Sequence, residues 1–140
     1  SFGSALVTTV TGIEAIVGTS GTDWIQGNAD GNRLDGASGD DQLNGAAGSD
    51  TLLGGYGSNA LTGGFESDGL IDYLSYQSHG AGVTVNLAQG IASGGADALY
   101  WEDQFYSIEG LIGTDHDDRL RGDLHANDLR GGYGDDVLYG

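Results

Sequence analysis

The chain has 140 residues, 28 of them glycine and none proline, cysteine or methionine, and its 21 acidic against 4 basic side chains leave a formal charge of −17. Without cysteine there is no disulfide framework, thiolate metal site or cysteine nucleophile, and without clustered Lys and Arg there is no phosphate-seeking surface for nucleic acid. No apolar run approaches the ~18 residues of a membrane span, and with neither a signal peptide nor an initiator Met in view the chain reads as a fragment.

Taken in order, residues 1–17 read as the end of a preceding connector. From Gly18 the sequence falls into nine-residue units: GTSGTDWIQ, GNADGNRLD, GASGDDQLN, GAAGSDTLL, GGYGSNALT and GGFESDGLI, filling 18–71. The period resumes at Gly113 with GTDHDDRLR, GDLHANDLR and GGYGDDVLY, filling 113–140 together with the Gly140 that opens another unit. Every unit opens with Gly. The sixth place is Asp23, Asn32, Asp41, Asp50, Asn59, Asp68, Asp118, Asn127 or Asp136, and the eighth is Ile25, Leu34, Leu43, Leu52, Leu61, Leu70, Leu120, Leu129 or Leu138. Composition like this would normally point to disorder, but three columns held in register are the mark of a solenoid.

Each unit specifies its own geometry. Places seven to nine fit a three-residue strand whose middle side chain points inward while its neighbours point out. Places one to six form the turn, where glycine permits positive φ and exposes carbonyls. Two strands and two turns make an 18-residue coil, so units n and n+2 stack on one edge. The expected fold is all-β: a parallel β-roll (β-solenoid) in two stacks of nonapeptide turns separated by a β-rich connector. Stacked turns bring carboxylates and carbonyls together, and hard oxygen donors without nitrogen or sulfur suit Ca²⁺.

The connector, residues 72–112, holds Tyr73, Tyr76, Tyr100, Trp101, Phe105 and Tyr106. Val83, Val85 and Leu87 alternate with polar residues as a half-buried strand does. Residues 72–76 read as another strand, and 98–112 as strands or a short helix. Its aromatics serve either as a glycan-stacking platform or as a cap over the open end of the roll, and a solenoid's need for apolar cover favours the cap. Ile13-Glu14-Ala15-Ile16-Val17-Gly18-Thr19 is matched by Ile108-Glu109-Gly110-Leu111-Ile112-Gly113-Thr114, so a block of roll plus connector starts again. Both ends look cut from a longer array, and uncapped terminal coils are expected to be soft or to self-associate end to end.

The units resemble the nonapeptide GGxGxDxUx of the RTX (repeats-in-toxin, hemolysin-type) family, a match over most of the chain. The resemblance implies Ca²⁺ between successive turns, about four or five ions in all, and a secreted bacterial protein exported by a type I secretion system. It assigns side-chain ligation to Asp23, Asp41, Asp50, Asn59, Asp68, Asp118 and Asp136. Main-chain carbonyls would come from Gly18, Gly36, Gly39, Gly45, Gly48, Gly54, Gly57, Gly131 and Gly134, with Asn32, Asp123 and Asn127 as weaker ligands. Same-edge pairs are Asp23 with Asp41, Asp41 with Asn59, Asp50 with Asp68, Asp118 with Asp136 and, more weakly, Asn32 with Asp50. The turn pairs opening at 18/36 and 36/54 are the best candidates. Asp30, Glu66, His116 and His125 replace the fourth-place Gly, where a β-carbon is strained at positive φ, so the turns at 27, 63, 113 and 122 are doubtful calcium loops.

No catalytic constellation emerges. His116 and His125 fall on opposite edges, and His79 reads as a surface residue. The doublets Asp40-Asp41, Asp117-Asp118 and Asp135-Asp136 pair a column member with a solvated neighbour, not two carboxylates set across a substrate. Two functional classes stay open: a non-catalytic module that folds on binding Ca²⁺ outside the cell, within a larger parent chain, and an accessory polysaccharide- or surface-binding module of a secreted enzyme or adhesin.

Overall fold

The computed structural model describes residues 7–9, 12, 14–65, 69–94 and 101–140. Fifteen strands and no helix occur among them. In the first block β1 (Val7–Thr9), β3 (Trp24–Gln26), β5 (Gln42–Ala46) and β7 (Ala60–Gly64) alternate with β2 (Ala15–Val17), β4 (Arg33–Asp35), β6 (Thr51–Leu53) and β8 (Tyr73–Ser75). The connector supplies β9 (Val83–Asn86), β10 (Ile91–Gly94) and β11 (Trp101–Tyr106). Then β12 (Gly110–Ile112) and β14 (Asp128–Arg130) alternate with β13 (Arg119–Arg121) and β15 (Val137–Tyr139). The chain winds between two sheets: a nine-stranded one ordered β1-β3-β5-β7-β11-β10-β9-β13-β15 and a six-stranded one ordered β2-β4-β6-β8-β12-β14.

The coil is 18 residues, as the period requires: Leu43 pairs with Ile25 and Leu61, and Leu34 with Leu52, in parallel register. Sixth and eighth places are two residues apart on an extended chain, so both face inside. Ile25, Leu34, Leu43, Leu52, Leu61 and Leu120 are buried in one core, with Leu129 packed against its edge. Leu138, on the last strand, is half exposed.

The eighth-place expectation fails at Leu70, which is exposed. Leu74 takes its place opposite Leu52, because β8 enters the sheet four residues later than the period demands. The shift lets Tyr73 pair with Thr51 and sends Tyr76 into the core.

The connector is no cap over a free end. Its β8 lies directly beside β12, so the six-stranded sheet runs without interruption from one block into the next. In the other sheet, three connector strands stand between β7 and β13. One strand would have completed the winding; the antiparallel β9–β10–β11 excursion adds two. At ~4.8 Å per strand this lengthens one sheet by roughly 10 Å against the other. Bulky side chains fill the resulting wedge: Tyr76, Leu87, Trp101, Phe105 and Ile108 are all buried there.

Candidate metal centre

Among the described residues, the sixth-place carboxylates are built into the roll by backbone. The Asp23 amide donates to Asp41 Oδ1 at 2.9 Å and the Asp41 amide to Asn59 Oδ1 at 2.9 Å. On the other edge the Asn32 amide donates to Asp50 Oδ1 at 2.7 Å, and in the second block the Asp118 amide to Asp136 Oδ1 at 3.0 Å. Four of the five sequence-paired couples are therefore joined. The fifth is corrected: the Asp50 amide donates to Asp72 Oδ1 at 2.7 Å, so Asp72 holds the place expected of Asp68, which lies outside the described residues.

The second carboxylate oxygen faces the turn. A β-carbon built on Gly36 would collide with Asp41 Oδ2 and, at 2.6 Å, with the carbonyl oxygen of Gly54, so only glycine fits between the acid and the next turn. The same cradle recurs at Gly18 with Asp23 and the Gly36 carbonyl, at Gly45 with Asp50 and the Gly63 carbonyl, and at Gly113 with Asp118 and the Gly131 carbonyl. Fourth-place Gly39, Gly48, Gly57 and Gly134 adopt positive φ and stack over the fourth-place carbonyl of the turn before. Asn127 Oδ1 accepts from the Asp123 amide within a single turn, and Asp123 also accepts from His125. Those two weaker candidates are thus tied to each other.

Asp41 carries the sharpest signal. It is 1% exposed, and its Oδ2 has no hydrogen-bond donor. Burial, aided by the charges of Asp23, Asp40 and Asp35 and opposed by the Asp23 amide, pushes its carboxyl up to about 6. A buried oxygen facing a carbonyl rather than a donor asks for a cation. Among the described residues no three His, Cys, Asp or Glu side chains converge on a point, so carbonyls would supply most of the coordination. An all-oxygen set of carboxylates and carbonyls fits Ca²⁺.

The sequence model of the RTX calcium-binding nonapeptide repeat matches four times, over residues 9–43, 17–52, 35–70 and 112–140. The chain belongs to that family. Its roll is a calcium-binding repeat β-roll of hemolysin type, and the family is structural and calcium-binding rather than catalytic in kind. No curated protein is recognisably similar to the chain.

Several column members escaped the nine-residue period. Asp103 precedes Phe105 as Asp41 precedes Leu43, and its Oδ1 accepts from the Asn59 amide and Nδ2, both at 2.9 Å. Its Oδ2 accepts from the Tyr76 hydroxyl at 2.9 Å. Burial pushes Asp103 up to about 6 and Tyr76 well above its ordinary range. On the opposite edge Glu109 accepts from the Asp72 amide at 3.0 Å. The available signal was an acid two places before an inward apolar residue, without the glycine-rich turn.

Two readings of the aromatics change. His79 is not a surface residue: it is buried, with ring centroids of Tyr56, Tyr76 and Trp101 at 5.3, 5.3 and 4.9 Å. Burial holds its imidazole below the usual value. Trp101 stacks on Tyr76 in the core and offers no face to a glycan, while Tyr100 lies outside the described residues. His116 and His125 stay exposed, ahead of strands in opposite sheets. Asp40 and Asp117 brace the turns, accepting from the amides of Ser58 at 2.9 Å and Asp135 at 2.8 Å.

Proposed function

We propose that this chain is a non-catalytic module that folds on binding Ca²⁺ outside the cell and thereby supports the secretion and folding of a larger bacterial protein. The observation that carries the reading is the donorless, buried Asp41 Oδ2 set against the Gly54 carbonyl. Without a cation, columns of buried carboxylates oppose the fold of a chain already at −17. With one, the same groups become its cross-links, and binding free energy becomes folding free energy. Extracellular calcium sites work at ~10⁻⁴–10⁻³ M, which keeps such a chain open in the calcium-poor cytosol. An open chain passes a type I export channel, and millimolar calcium outside then closes the roll. Circular dichroism in EGTA, followed by CaCl₂ titration, tests the calcium step. A coil-like spectrum turning to β in the sub-millimolar to millimolar range is expected, and a β spectrum already complete in EGTA would overturn it.

A further inference from the structure

The nonapeptide turns are of two kinds. In the turns opening at Gly36, Gly45, Gly54 and Gly131, both the second and the fourth residue have positive φ: Ala37 at 70° and Gly39 at 119°, Ala46 at 85° and Gly48 at 109°, Gly55 at 81° and Gly57 at 131°, Gly132 at 109° and Gly134 at 114°. In the turns opening at Gly18, Gly27, Gly113 and Gly122 neither residue does, Gly21 included. These four carry Thr19, Asn28, Thr114 and Asp123 at the second place. Each side chain accepts from the fourth-place amide, at 3.2, 2.7, 2.9 and 2.8 Å.

The consequence falls on the ligand column. In the second kind of turn the second-place amide donates to the sixth-place side chain: Thr19 to Asp23 Oδ2 at 2.6 Å, Asn28 to Asn32 Oδ1 at 2.8 Å, Thr114 to Asp118 Oδ2 at 2.6 Å, Asp123 to Asn127 Oδ1 at 2.8 Å. The Thr19 and Thr114 hydroxyls add bonds to the same carboxylates. In two turns of the first kind that amide is drawn away. Ala37 donates to Asp35 Oδ1 and Ala46 to Asn44 Oδ1, both at 3.0 Å and both to the residue that ends the previous unit. Asp41 Oδ2 is thereby left without a donor.

We propose that Ca²⁺ is held only where a turn of the first kind lies under another of that kind, as between 36 and 54, and that Thr19, Asn28, Thr114 and Asp123 close their turns without metal. This deepens the calcium reading above and rests on it. One ion is expected between 36 and 54, and the 18/36 and 113/131 pairs stay metal-free. Between the turns at 18 and 36, two residues set the kind. Val17-Gly18-Thr19-Ser20-Gly21 differs from Asp35-Gly36-Ala37-Ser38-Gly39 only at its first and third positions.

The test exchanges those positions in the full chain. Native mass spectrometry in CaCl₂, with circular dichroism to monitor folding, counts the ions held by the parent chain and by each variant. The double variant Val17→Asp/Thr19→Ala should hold one ion more than the parent chain, and Asp35→Val/Ala37→Thr one fewer. Should the loss variant fail to fold, the gain variant decides alone. Four or five ions in the parent chain, or a gain variant still holding the parent's number, overturns the assignment while leaving the calcium reading intact. No ion in any variant overturns both.

Discussion

Asp41, in the repeat block, and Asp103, in the connector, belong to one column two layers apart, and both are pushed up to about 6 by burial. Asp103 is held by protein: the Asn59 amide and Nδ2 on one oxygen, the Tyr76 hydroxyl on the other. Asp41 has the Asp23 amide on one oxygen and nothing on the other. The two acids thus differ in how they are held: Asp103 is bonded by side-chain donors on both oxygens, whereas Asp41 keeps one oxygen open. On the calcium reading proposed above, an ion would do for Asp41 what Tyr76 does for Asp103. The aromatic wedge serves the same end on the apolar side, filling with rings the space that two extra strands open.

The largest expected effect lies in the wedge. Phe105→Ala should cost about 3–5 kcal/mol in urea unfolding at saturating Ca²⁺, since Phe105 is 2% exposed and sits where the two blocks join. A loss below about 1 kcal/mol would mean that the connector does not bear on the roll. Next comes Tyr76→Phe, which strips Asp103 Oδ2 of its donor and should cost about 1–3 kcal/mol with Ca²⁺ affinity unchanged. Asp41→Asn is the converse. It keeps an acceptor for the Asp23 amide but loses the charge, so calorimetric Ca²⁺ affinity should fall about 10-fold, or about 1.4 kcal/mol. Equal responses of Ca²⁺ affinity to the two substitutions would erase the distinction between the two acids.

The smallest effect is on pH dependence. The folded pKa of Asp103 is raised from 3.8 to about 6. Its contribution is therefore fully present below pH 3.8 and lost as pH rises through about 6. His79 runs the other way: its folded value is lowered from 6.5, so its contribution is present above 6.5 and lost as pH falls through the folded value. At saturating Ca²⁺, Asp103→Asn should raise the urea midpoint at pH 7.5 relative to pH 5 when each is compared with the parent chain. An unchanged difference between the two pH values would show that Asp103 is ionised at little cost.

Much of this roll was legible in sequence because its rule is local. Gly at the first place, an acid or amide at the sixth and an aliphatic at the eighth place Asp41 and Leu43 inside, whatever lies elsewhere. The misses come from interactions between distant segments. The unit at Gly63 satisfies all three columns with Asp68 and Leu70, yet Asp72 and Leu74 occupy the sheet. That later register buries Tyr76 against Trp101 and gives Asp103 its hydroxyl donor, and nothing within nine residues reports it. Burial of His79 depends likewise on Tyr56, from a repeat turn, and on Trp101, from beyond two strands. The two kinds of turn were readable at place two, Ala or Gly against Thr, Asn or Asp, but the expected columns were one, six and eight. Leu129 and Leu138 keep the pattern, Leu129 packed against the edge of the core and Leu138 half exposed on the last strand.

The most direct test of the account is hydrogen exchange followed by mass spectrometry, comparing EGTA with millimolar CaCl₂ across peptides of the 36–64 turns. The amides of Asp41 and Ala60, which bond across the stacked coils, should gain protection by orders of magnitude when calcium is added. Protection as strong in EGTA as in calcium would contradict the claim that buried aspartates in these turns are completed by an ion.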